Sequence, residues 1–272
     1  MKVMRKGITG LQTPSMIFAD KDDHRIVLRG MCHIADTDFY IKAQDQIAAF
    51  NGEVHFEGIK SPNVNLEDID KVGYERMLAL MFIYQYIAAL FNVDTQTEHL
   101  DPDFIKSQPH YKNYDLTIDD VLPIFTEGLI KQVLDSFLKL DGVNMIGSAS
   151  ARLLARPQTL ALMLIRGNKA NPFDTTILLD KRNEHAINHA LETRDNGQDV
   201  MLVWGAKHLE GMSELLKQNG YKHFHTEWDT VIPWIESEPL SYSERVYKEK
   251  NINEFQAEII DLIKLTNGLP QK

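Results

Sequence analysis

The 272-residue chain has a single cysteine, Cys32, so it has no intrachain disulfide framework, as is usual in a reducing compartment. It also lacks a long apolar run. Its richest stretch, Met77 to Phe91, is broken by Tyr84, Gln85 and Tyr86 and falls short of the ~20 residues a membrane-spanning helix needs. Positive charge is in deficit: 29 Lys and Arg stand against 39 Asp and Glu, a formal net charge of −10. That balance disfavours a nucleic-acid backbone and an anionic membrane surface, both of which attract surplus Lys and Arg. Met1 to Gly10 carries basic residues with no apolar segment behind it, so no secretory signal is expected and a cytoplasmic location is. The chain shows no P-loop, no dinucleotide-type G-x-G-x-x-G and no G-x-S-x-G nucleophile elbow.

What is present suits one globular domain over residues 1–272, with 43% apolar and 25% charged residues. Strand-like runs cover Arg25 to Arg29, Glu53 to Glu57, Phe91 to Asp94 and Asp199 to Trp204, and Tyr221 to Trp228 alternates as an edge strand does. Helical spacing covers Asp36 to Phe50, Leu66 to Leu90, Pro172 to Thr193, Leu209 to Asn219 and Ser241 to Leu265. Two consecutive helical patterns, Ile118 to Leu140 and Ser148 to Arg166, predict a helical insertion between about residues 99 and 170. Strands separated by helices imply crossovers, hence an α/β fold with a mainly parallel sheet flanked by helices. Ligands of such sheets bind outside the carboxyl ends of the strands.

Candidate site residues gather at those ends. Gly30-Met-Cys-His33 and Gly205-Ala-Lys-His208 repeat the pattern G-x-x-H, each directly after an apolar strand. Glycine at the strand end suggests a sharp turn with positive φ that aims the imidazole back over the rim. One G-x-x-H is a common accident; two in the same setting are a stronger signal. Glu57 closes the second strand, and Glu98 follows the third. Two imidazoles and a carboxylate suit a divalent transition metal such as manganese, cobalt or zinc, which would acidify a bound water. Arg182, in the helix before the last buried strand, is placed to steady developing negative charge. Cys32 reads as buried and inert, because it and His33 point to opposite sides of an extended segment. The His185/His189 pair reads as a solvated helix face and the His223/His225 pair as a half-exposed edge strand.

The order GMCH, HFEG, an Arg-Asn on a helix and then VMLVWGAKHLEG resembles the TraB/PrgY/Tiki family, over roughly Arg25 to Trp228. That family's wider group is similar to erythromycin-esterase-like and ChaN-like proteins. The resemblance implies metal-dependent proteolysis, with His33, His208 and Glu57 as the metal and catalytic set and Arg182 and Glu98 beside them. The expected function is therefore metal-dependent hydrolysis of a peptide, amide or ester bond in a peptide or small-molecule substrate, with a homo-oligomer left open. Two alternatives stand. One is a metal-independent, erythromycin-esterase-like hydrolase. The other is a non-catalytic peptide-, haem- or metal-binding protein using the same rim.

Overall fold

The computed structural model describes residues 3–60, 93–100, 110–121 and 176–234, together with residues 85, 88, 91 and 105. Most of the predicted insertion, all but residues 85 and 88 of the helix expected over Leu66 to Leu90, and the whole of the one expected over Ser241 to Leu265 lie outside the described residues.

In chain order the strands are β1 (Arg5–Lys6), β2 (Gly10–Ala19), β3 (Arg25–Met31), β4 (Ile34–Ala35), β5 (Glu53–Phe56), β6 (Asp94–Thr95), β7 (Tyr111–Lys112), β8 (Val200–Gly205) and β9 (Lys222–Pro233). The helices are α1 (Thr37–Ala48), α2 (Gln96–His99), α3 (Ile118–Val121), α4 (Thr176–Asp195) and α5 (Leu209–Gln218). Seven strands form one sheet: β9, β2, β3, β8, β5 and β7 follow one another across it, and β1 pairs with the start of β2. The block β3–β8–β5–β7 is parallel, whereas β2 runs antiparallel to both β3 and β9. The protein is thus α/β, with a parallel centre and an antiparallel edge.

Alternation along the strands sends apolar side chains to both faces, which is why β3 and β8 read as nearly continuous apolar runs. Val27, Met31, Val54, Phe56, Met201 and Val203 pack on one face with Phe39, Tyr40, Ala43 and Ile47 of α1. Ile26, Leu28, Val200, Leu202 and Trp204 pack on the other with Ala186, Ile187 and Ala190 of α4 and Leu209, Met212 and Leu216 of α5. The α5 helix stops where Gly220 adopts φ +85°, letting the Gly220 and Tyr221 amides donate back to Lys217 and Leu216.

Two expectations need correction. The segment expected as a third sheet strand supplies only Asp94–Thr95, which pairs antiparallel with Ile34–Ala35 in a separate two-stranded ribbon. The place beside β5 belongs instead to Tyr111–Lys112. The 10-residue strand β2 was not expected from the sequence at all, because Gly10, Pro14 and several polar residues hide its period.

Candidate functional site

The strands preceding the two G-x-x-H histidines are parallel neighbours, with Gly30 opposite Trp204 and Met31 opposite Gly205. Glu57 follows β5 directly, and its amide donates to Val203 O of β8 at 3.0 Å. His33, Glu57 and His208 therefore leave one carboxyl-end rim, on adjacent strands.

The glycines of the two motifs do a different job from the one expected. Neither has positive φ; Gly205 sits at φ −51°, ψ 136°. What both provide is room. A Cβ on Gly30 would lie 2.6 Å from Thr13 Oγ1, and one on Gly205 would lie 2.9 Å from Glu57 Oε2. The Glu57 carboxylate uses that space to accept a short hydrogen bond from the Gly205 amide.

Arg182 is the centre of the group. It lies on α4, 8% exposed, and its partners are not its helical neighbours. Nε and Nη2 donate to the two oxygens of Asp115 at 2.9 and 2.5 Å, Nη2 also donates to Glu57 Oε1 at 2.9 Å, and Nη1 lies 3.2 Å from His208 Nε2. Asp115 is fully buried and accepts further from the Gly58 amide at 2.9 Å. Burial opposes the Arg182 charge, but the Asp115 hydrogen bond and the Glu57 charge outweigh it and raise its proton affinity. Burial alone would likewise raise the Glu57 carboxyl. When His208 is protonated, its hydrogen bond and charge, followed by the charges of Arg182 and His33, hold the carboxyl well below the usual carboxylate range.

His208 ends the single 3₁₀ turn after β8 and is 3% exposed. Its Nε2 faces Glu57 Oε1 at 3.4 Å, its Nδ1 lies 2.7 Å from Asn183 Oδ1, and Trp204 packs edge-on against its ring. His33 stands at the mouth. The residue is exposed on one side, yet the surrounding protein presses its proton affinity below the ordinary histidine value; Glu57 pulls the other way, and Arg182, His208 and Lys207 add to the depression. It follows β3, the strand paired in parallel with β8, and so shares the rim with Glu57 and His208.

Glu98 has another task. Its carboxylate accepts from the Thr95 amide at 2.5 Å and from Thr95 Oγ1 at 2.9 Å, closing a capping box on α2. The α2 segment still touches the rim, since the Gln96 amide donates to His33 O at 2.9 Å. Asp115 was missed by sequence reasoning. It follows β7, whose two residues are too few to show any period, so only its place three residues after a parallel strand hinted at the rim.

A resident divalent ion does not fit this arrangement. Glu57 Oε1 and His208 Nε2 are near enough to share one, but the Arg182 guanidinium lies on both atoms and a second cation would meet its charge. Among the described residues, the donors that come within 4.8 Å of one another as a set of three are Asp20, Asp22 and His24, in the β2–β3 turn at the opposite end of the sheet. Two of the three are already engaged: Asp20 accepts from the Asp22 and His24 amides and pairs with the His24 ring and Arg194. Burial pushes the Cys32 thiol up to about 12, which fits an inert side chain. The His185 and His189 rings lie half-exposed, edge-on to each other, with His189 also lying flat on Tyr114 at 4.5 Å. No described helix is long and apolar enough to cross a membrane. Compared with family models, curated proteins and solved structures, the chain matches none.

Proposed function

We propose that the protein is a hydrolase of peptide, amide or ester bonds that activates water with an imidazole and a carboxylate, without a bound metal. The observation that carries this reading is the Glu57 carboxylate, kept ionised by Arg182 and the Gly205 amide, on the same rim as the solvent-facing imidazole of His33. A crowded His33 is neutral near pH 7 and has a lone pair for a water proton. The adjacent Glu57 charge then stabilises the imidazolium that forms, and Arg182 and the Gly205 amide hold Glu57 in place. The TraB/PrgY/Tiki resemblance supports the choice of residues, and its erythromycin-esterase-like side supports metal-free chemistry.

The test is hydrolysis of a panel of chromogenic esters, anilides and peptides by protein dialysed exhaustively against chelator. Turnover is expected to survive chelation and to fall by ~100-fold or more in His33→Ala and Glu57→Gln, the range typical of general acid–base catalysis. Turnover that returns only with added manganese, cobalt or zinc would replace this reading with the metal-dependent one. Stoichiometric ligand capture without turnover would replace it with a binding protein.

A further inference from the structure

Beside Arg182 on α4 stands Asn183, 3% exposed, with its Oδ1 2.7 Å from His208 Nδ1. The space for its amide exists because residue 211 is glycine: a Cβ there would lie 2.4 Å from Asn183 Nδ2. A guanidinium has only donors, so Arg182 Nη1, 3.2 Å from His208 Nε2, demands a lone pair on that nitrogen. The neutral ring must then carry its proton on Nδ1, and Nδ1–H needs an acceptor in a buried place. Asn183 Oδ1 is that acceptor, while its Nδ2 is turned toward Gly211. We infer that Asn183 is a positioning residue that fixes the tautomer of His208, so that Nε2 keeps its lone pair toward the Arg182–Glu57 centre.

The consequence is chemical. A ring of the other tautomer would oppose Nε2–H to the Arg182 donor and loosen the guanidinium from Glu57. With the tautomer fixed, a proton reaching Nε2 turns that atom from acceptor toward Arg182 into donor toward Glu57 Oε1, 3.4 Å away. In catalysis this inference rests on the hydrolytic reading of the same site, but the tautomer itself can be read without any substrate.

The experiment is long-range proton–nitrogen NMR of ¹⁵N-histidine-labelled full-length protein, at a pH high enough to keep imidazoles neutral. The His208 signals are assigned by their loss in His208→Gln. Wild type is expected to show Nδ1 protonated and Nε2 bare. Asn183→Asp, which keeps an acceptor oxygen, should retain that pattern, whereas Asn183→Leu should lose it and populate Nε2–H. A wild-type ring protonated on Nε2 overturns the inference, whether or not the variants fold. So does a folded Asn183→Leu protein with the wild-type pattern. The expected pattern in a protein that hydrolyses none of the panel keeps the tautomer assignment and rejects the hydrolase.

Discussion

Gly205 carries no side chain, and the atom it lacks would stand 2.9 Å from Glu57 Oε2. Its amide is also one of the donors that keep Glu57 ionised. Gly205→Ala therefore forces either the strand end or the carboxylate to move. Overpacking of this kind costs about 1–3 kcal/mol, and the displaced carboxylate should weaken its bond to Arg182. Urea denaturation is expected to show the loss. Hydrolysis of any substrate found for the wild type should fall together with that of Glu57→Gln. A Gly205→Ala protein with wild-type stability and turnover would mean that the close approach has no consequence. Gly58 makes a control, since a Cβ there would meet only Asn113 Nδ2 at 3.4 Å, an ordinary contact.

At the scale of elements, the edge strand β9 is held to the sheet by a buried charge as well as by its ladder with β2. Asp229 of β9, 2% exposed, accepts from Arg29 Nη1 of β3 at 2.6 Å and makes a short contact with Lys42 of α1. Arg29 is fully buried with its guanidinium 5.0 Å over the Phe39 ring. Asp229→Asn would leave the arginine charge without its counter-ion and should cost about 3–5 kcal/mol, whereas replacing Arg29 and Asp229 together by Met and Leu should recover most of it. Urea midpoints of the two variants decide the matter, and a single-variant loss below about 1 kcal/mol would contradict it. This pair also shows how much of the molecule was legible. The apolar runs of β3 and β8 and the 3.6-residue spacing in α1 and α5 carry strong periodic signals, so the parallel core, its flanking helices and the rim holding His33, Glu57, Arg182 and His208 could be read. Arg29 and Asp229 are 200 residues apart, and Asp115 meets Arg182 across 67; neither partnership leaves a local pattern. Glu98 misled because a carboxylate after a strand end looks the same whether it caps a helix or lines a site.

For the whole molecule, the burial of histidines sets a direction for the pH dependence of stability. His55 points from β5 toward α4, 1% exposed; its Nε2 pairs with Glu53 Oε1 at 2.8 Å, and its Nδ1 is buried with no hydrogen-bond partner among the described residues. A second proton on the ring would have to sit on Nδ1, away from water and without an acceptor. Burial accordingly lowers its proton affinity, against the pull of Glu53. A depressed folded value means that the unfolded chain binds the proton more readily. The His55 contribution to stability is therefore complete above the unfolded value near ~6.5 and is lost as pH falls through the folded value. Glu57 acts in the same sense at lower pH, since its carboxylate is also depressed: its contribution is present above the unfolded value near ~4.3 and is lost further into acid. The unfolding free energy should thus decline on acidification below about pH 6.5, by up to about 1.4 kcal/mol per pH unit for each proton taken up. Urea denaturation at a series of pH values from 8 to 4.5 measures that slope, and His55→Asn, which cannot titrate, should flatten its upper part. Identical slopes in the two proteins between pH 6.5 and 5 would show that His55 is protonated in the folded state as readily as in the unfolded one.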